Sequence, residues 1–407
     1  MSISETNSPH YTVALTGTYN SSNKGDAAMQ LAMSSQLAQR FGDAVSTVLY
    51  SPFPQMDAPF YRDSPVRFDD RRKLIRSTFG LVSSQLKREF ASADLVIDLS
   101  GDMLTEDYGP HVAWSHFLPL LRAQRSGTPY MLAAQSIGPF KLTTPIARQV
   151  IGNAAAVTVR DSISRDYLGS LGLEEPLVKQ TADMAFLLDA IGTIEADRFI
   201  ADTGLNPAKP VVAISLSRLV AKRYDKRHGE GAFVALMAQA LGALAYDHGV
   251  QLLFVAHVTG PTPVKDDRII AREVLGRMDA SGAALFDRDA RPEELKGVVG
   301  RCCATIGCRM HANIASLSSK VPVLALAYSH KTPGIMRACG LEDMVLDVDH
   351  FEPAEFSALV NRLVADRETL AQRLVQPVAD QVKAARENIE IVARLLDKSV
   401  LKKVVQS

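Results

Sequence analysis

Cysteine is scarce in this chain of 407 residues: the four are Cys302, Cys303, Cys308 and Cys339. Their spacing forms no C-x2-C zinc pair, and so few thiols suit a reducing compartment. Net charge is absent as well. Forty-five basic residues balance forty-five acidic ones, which argues against a dedicated nucleic-acid binder while leaving room for a local basic pocket. Met1 to His10 carries no apolar signal core, and no apolar run reaches the length that spans a bilayer. A cytoplasmic protein with at most peripheral membrane contact is expected. The basic group Arg71, Arg72, Lys73 and Arg76 reads either as a solvated helix face or as a touch point for an acidic membrane surface. Solenoid-type repeats and low-complexity tracts are missing too. No cluster of metal-ligand residues stands out, so neither a metal nor a resident cofactor is expected.

What is there is globular. Hydrophobic residues make up 47% and charged ones 22%, and the length calls for two domains of roughly 150–200 residues each. Short apolar strands alternate with helical stretches: Tyr11–Thr16, a helix from about Asp26 to Phe41, Val45–Tyr50, a helix over Arg71–Glu89, Leu95–Leu99, His111–Gly127, Tyr130–Ala134 and Ala156–Arg160. After the strand-like Ala185–Leu188 comes a segment rich in glycine and proline. The rhythm then restarts with Val211–Leu216, Gly231–His248 and Gln251–Ala256. Such alternation predicts an α/β fold of parallel sheets, with two Rossmann-like domains facing across a cleft. The expected division is an N-terminal domain over 1–190, a linker over 191–210 and a C-terminal domain over 211–352. A helical tail over 353–407, broken or kinked at Pro377, is expected to cross back to the first domain.

In open parallel sheets ligands sit at the carboxyl ends of the strands, so chemistry is sought in the loops that follow them. The first loop runs from Gly17 to Asp26. It is neither G-x-G-x-x-G nor a P-loop, but its Gly and Asn residues tolerate left-handed backbone and the exposed amides at the helix start suit an anion. Asn23 and Gly25 are candidate acceptor contacts. Asp26 is either a helix cap or a base toward an acceptor hydroxyl. In the second loop Gly101 permits close approach, and Asp102 is either a cap or a proton acceptor, with Asp107 nearby. In the third, Arg160 is delivered to the end of its strand, placed to hold a carboxylate or phosphate or to pair locally with an acid such as Asp161.

The fourth group is the most informative. Cys308-Arg309-Met310-His311 leaves one strand and Ser329-His330-Lys331 leaves the next. Arg309, His311 and Lys331 therefore converge near helix starts as an anion site, with His330 read as structural. Arg218 follows the strand Val211–Leu216 and can join them, whereas Lys222 and Arg223 read as solvated. His257 is as readily a core or capping residue as a catalytic one. Asp183 either caps or lines the cleft.

Taken in order, Asn23-Lys24-Gly25-Asp26, Ser100-Gly101-Asp102, Gln135-Ser136-Ile137-Gly138-Pro139, Val159-Arg160-Asp161-Ser162, Thr181-Ala182-Asp183, Ile214-Ser215-Leu216-Ser217-Arg218, Arg309-Met310-His311-Ala312 and Tyr328-Ser329-His330-Lys331 resemble the polysaccharide pyruvyltransferase family. The resemblance implies a GT-B-like fold, and transfer of pyruvate from phosphoenolpyruvate to a sugar as a ketal. The family's basic residues map onto Arg160, His311 and Lys331. One departure is Asp102, where the family usually carries a second glycine. In the implied chemistry, Arg160, Arg309, Lys331 and Arg218 bind the donor and His311 is the general acid. Asp102 and Asp26 are the candidate bases, and Asn23, Gly25 and Asp107 meet the acceptor. The implied partners are phosphoenolpyruvate as co-substrate and a saccharide acceptor, free or lipid-linked. The competing readings are a GT-B glycosyltransferase that uses a nucleotide sugar and a non-catalytic sugar-binding protein.

Overall fold

The computed structural model describes residues 10–18, 20–62, 64, 66–72, 91–175, 177–278, 281–329 and 331–406, the last eight as backbone. The expected helix beyond Arg72, with Lys73 and Arg76, and the residue His330 lie outside the described residues. The chain groups into two compact units. Unit 1 comprises Met1–Ser21, Met29–Leu187 and Ala384–Ser407, and unit 2 comprises Ser22–Ala28 and Leu188–Lys383.

Unit 1 is built on seven strands: β1 Tyr11–Thr16, β2 Val45–Ser51, β3 Val66–Asp70, β4 Leu95–Asp98, β5 Tyr130–Gln135, β6 Ala156–Val159 and β7 Val178–Gln180. They pair in the order β3-β2-β1-β4-β5-β6-β7, all parallel. The central strands are buried along their whole length, as strands covered by helices on both faces must be. Tyr130, Leu132, Val157 and Val159 of the sheet pack with Phe117, Leu120 and Val150 of its helices.

Unit 2 repeats the plan with six strands: β8 Val211–Ser215, β9 Gln251–Val255, β10 Ala283–Phe286, β11 Ala304–Gly307, β12 Val323–Ala327 and β13 Val345–Asp347. Their order is β10-β9-β8-β11-β12-β13, again all parallel. In each unit the strand order reverses beside the first strand, between β1 and β4 and between β8 and β11. Successive crossovers there leave on opposite faces and open a crevice at the carboxyl ends.

Several expectations are corrected. Met184–Leu187 is a 3-10 turn rather than a strand. The tail holds two helices, Pro353–Ala365 and Arg367–Gln406, that part at Asp366, and the second runs on through Pro377 without a break. Arg218–His228, to which no element was assigned from sequence, is a helix whose Val220, Ala221 and Tyr224 are buried beneath a charged face. Arg71 is no solvated side chain. Its guanidinium is buried and donates to the carbonyls of Thr18 and Ser115.

The end of helix Arg367–Gln406 belongs to unit 1. Asn388, fully buried, accepts from Thr158 Oγ1 at 2.6 Å and Thr181 Oγ1 at 3.1 Å and donates to the Ala182 carbonyl at 3.2 Å. Replacing it by Leu removes the partner of Thr181 Oγ1 and of the Ala182 carbonyl, while Thr158 Oγ1 keeps the Ala134 N–H at 2.7 Å. Asn388→Leu should therefore lower stability by about 1–3 kcal/mol per orphaned group, read from urea denaturation; an unchanged midpoint would show that the contact is dispensable.

Candidate active site

In unit 2, β11 ends at Gly307 and the chain turns at once into helix Met310–Ser318, with Arg309 as its N-cap residue. The turn is tight because Cys308 N–H donates to the Ser215 carbonyl at 2.7 Å. Arg309 and His311 thus stand beside the strand-order reversal, at the positive end of a helix. The first turn of helix Lys24–Phe41 meets them there. Asn23 bridges to Val258, and Lys24 N–H donates to the His257 carbonyl at 2.9 Å. Gly25 then lies against the imidazole of His311. A Cβ on Gly25 would fall 2.1 Å from His311 Nδ1, so only glycine fits. Asn23 braces the turn: its Oδ1 accepts from Gly25 N–H at 3.1 Å, and its Nδ2 donates to Asp26 Oδ1 at 2.8 Å.

Cations gather around this point. Arg309 is held by a two-pronged pair to Asp267, from Nε at 3.0 Å and Nη2 at 2.6 Å, which leaves Nη1 outside the pair. Burial pushes the Asp267 carboxyl up to about 6, against the pull of Arg309. Lys24, with its side chain only 1% exposed, pairs with Asp289 at 2.6 Å, and Asp289 also accepts from Thr259 Oγ1. His257 is buried beside Ser215 Oγ. Burial depresses it to about 3, and the neighbouring His311, Arg309 and Lys24 add to the effect. It is therefore neutral near pH 7, as a packing residue rather than a charge. Lys331 opens helix Lys331–Ala338 after β12, the neighbour of β11, and is buried. Arg218 pairs with Glu273 at 3.4 Å on a half-exposed face.

Unit 1 carries the remaining candidates at its own reversal. Gly17, at φ +105°, has its α-carbon against the Asp98 carboxylate and Ser100, where a Cβ would come within 2.5 Å of the Ser100 nitrogen. This close approach lets the loop after β1 close over the end of β4. Asp98 is fully buried, accepts from Ser100 Oγ at 2.5 Å and from Gln135 Nε2 at 2.7 Å, and is raised chiefly by desolvation. Asp102 is half-buried and accepts from Tyr108 Oη at 2.8 Å, while Asp107 is exposed. Arg160 is buried and paired, but with Asp183 rather than Asp161. Nη1 meets Asp183 Oδ2 and Nε donates to Ser136 Oγ at 2.9 Å. Asp161 instead caps helix Ser162–Ser170. Arg160 Nη2 is buried with no hydrogen-bond partner among the described residues.

The structure thus brings Asn23, Gly25, Asp26, Arg309 and His311 together, and it adds Lys24, His257, Asp267 and Asp289. The loop 22–28, assigned from sequence to the first domain, groups with unit 2 because its backbone bonds to the strand end at His257 and Val258. Asp102, Asp107 and Arg160 belong to unit 1. The partners that sequence reading missed are carboxylates far along the chain, for which no local pattern exists.

A family model described as polysaccharide pyruvyl transferase matches residues 23–330. The amylovoran biosynthesis protein AmsJ of Erwinia amylovora is 28% identical over 301 residues, 71% of this chain and 69% of that protein. Among solved structures, the S. aureus MnaA–UDP complex superposes with a TM-score of 0.62 at 13% identity, over 95% of this chain and 97% of that one. The UDP-GlcNAc 2-epimerase of Neisseria meningitidis bound to UDP-GlcNAc gives 0.62 at 12%, over 94% and 100%. Anabaena Alr3699/HepE with UDP and glucose gives 0.55 at 12%, over 98% and 100%. At such identities the likeness is one of fold, and that fold is the GT-B-like α/β architecture expected from the sequence.

Two consequences of the geometry are measurable. Arg160→Ala strands Asp183, whose side chain is 1% exposed, as an unanswered buried charge. It should cost about 3–5 kcal/mol of stability, and Asp183→Asn in the same background should restore part of it in urea denaturation. His257 has a folded pKa depressed from 6.5 to about 3. Between those values the unfolded chain binds a proton that the folded one refuses, so stability is lost as pH falls from about 6.5 towards 3. In His257→Gln this share of the slope should vanish; an identical pH profile would place the titration elsewhere.

Proposed function

Because the chain belongs to the polysaccharide pyruvyl transferase family, we propose that it takes the enolpyruvyl group from phosphoenolpyruvate and closes it as a ketal on a pair of saccharide hydroxyls. One observation carries this reading: His311 is seated on Gly25 at the positive end of a helix, with Lys24 and Arg309 gathered around the same point. A small ligand with a carboxylate and a phosphate is what such a cluster suits.

The reaction needs a proton delivered to the methylene carbon of the donor, attack of a hydroxyl at the adjacent carbon, and departure of phosphate. Attack of the second hydroxyl closes the ring, so that one phosphoenolpyruvate and one diol give a ketal and inorganic phosphate. His311 is the proton donor in this scheme. Its imidazole cannot swing across Gly25, and that fixes the direction of delivery. Arg309 Nη1, Lys24 and Lys331, with the amides at the two helix starts, neutralise the departing phosphate. Arg160, in unit 1, is pinned by Asp183. Asp102 and Asp26 remain the candidate bases for the acceptor hydroxyls. The acceptor is a saccharide of a surface or exported polysaccharide, and the setting is the cytoplasm.

Calorimetric titration with phosphoenolpyruvate and with UDP-glucose, together with phosphate-release assays, tests the proposal. The wild-type chain should bind phosphoenolpyruvate. His311→Ala should keep that binding but lose about 10²–10⁴-fold in kcat. Binding of UDP-glucose with none of phosphoenolpyruvate would sink the proposal and favour a nucleotide-sugar enzyme.

A further inference from the structure

The loop after β4 leads into helix Pro110–Ser126, and most of that helix is buried. Ala113, His116, Phe117, Leu118, Pro119, Leu120, Leu121 and Ala123 all face packed neighbours. Its start is different. Trp114, the single tryptophan of the chain, is 43% exposed and Tyr108 is 37% exposed. His111 is exposed and folds its ring back over Gly109, where a Cβ would lie 2.9 Å from its Cε1. Helical side chains lean toward the N-terminus, so Trp114 leans toward the first turn of the helix, which follows directly on the loop that carries Asp107 and Tyr108. Tyr108 is held in place by the bond from its Oη to Asp102 at 2.8 Å.

Two partly exposed aromatic side chains at the carboxyl edge of a sheet forgo some of the burial that the same residues would find in the core. Grouped exposure of this kind marks a surface that meets a ligand. The charge around it selects which. Asp102, Glu106 and Asp107 share the loop, with Glu106 taken up by Thr143, so Asp102 and Asp107 are the carboxylates left to accept from hydroxyls. A neutral pyranose fits both features. Its face of C–H groups lies against an aromatic ring, and its hydroxyls donate to carboxylates. We propose that Tyr108 and Trp114, with Asp102 and Asp107, form a stacking platform that receives a sugar ring of the acceptor. This rests on the pyruvyl-transfer reading for the word acceptor, but the platform itself needs no donor.

The lone tryptophan makes the test direct. The full chain, without phosphoenolpyruvate, is titrated with the methyl glycosides of galactose, glucose and mannose while indole emission is followed, and calorimetry is run in parallel. A saturable change in emission with at least one glycoside is expected. Trp114→Ala should weaken binding of that glycoside about tenfold in calorimetry, and Trp114→Phe should recover most of it. Both variants should keep the wild-type melting temperature, because the side chain stands at the surface. Glycoside binding by calorimetry with no change in emission, or no binding of any glycoside, would overturn the platform. Glycoside binding at Trp114 with no phosphate release from phosphoenolpyruvate would instead overturn the reaction and leave the platform standing.

Discussion

A cation taken out of water has to be answered by a polar partner, and around the candidate site that partner is a carboxylate. Arg160 is answered by Asp183, Arg309 by Asp267 and Lys24 by Asp289. The three pairs differ in how far the carboxylate is buried. The Asp183 and Asp267 side chains are 1% exposed, whereas that of Asp289 is 55% exposed. The first two therefore hold their arginines in fixed orientation. Lys24 is coupled to a carboxylate already bathed in solvent, where its attraction is weakened by water. A bound anion thus competes with a weak rival at Lys24 and with strong ones at the arginines.

Close backbone approach is the second element of the design. Gly17 brings the loop after β1 onto Asp98 and Ser100, and Gly25 brings a helix start onto His311. In both places the strand order of a parallel sheet reverses. The reversal opens the crevice, and the missing side chain lets a second segment of backbone line it. Polar groups can then be packed at a density that ordinary residues would not allow.

Much of this was legible in the sequence where the signal is local. The buried strands β1, β4 and β8 are short apolar runs, and the basic residues that follow β11 and β12 are visible as a group at strand ends. Strands without such a run were invisible. β3 reads Val-Arg-Phe-Asp-Asp and β7 is three residues long with two of them exposed. Met184–Leu187 is apolar enough for a strand but forms a 3-10 turn, since short apolar runs do not distinguish the two. The identity of each ion-pair partner was equally out of reach, as Arg160 and Asp183 are 23 residues apart and Arg309 and Asp267 are 42 apart. Only the fold brings them together. The grouping of loop 22–28 with unit 2 depends on backbone bonds to the end of β9 that leave no mark in composition.

The late residues of helix Arg367–Gln406 bear on how the chain comes into being. Unit 1 begins near the first residues, yet Thr181 Oγ1 and the Ala182 carbonyl meet their partner in Asn388, far along the chain. On the ribosome the first sheet emerges with those groups unanswered, while unit 2 up to Lys383 can be translated and begin to fold. The first sheet is thus the last to be completed. A nascent chain stalled before Ala384 would carry an unfinished first unit, and a cell's quality control would meet it with the side of β6 and β7 still open to binders of incomplete sheets.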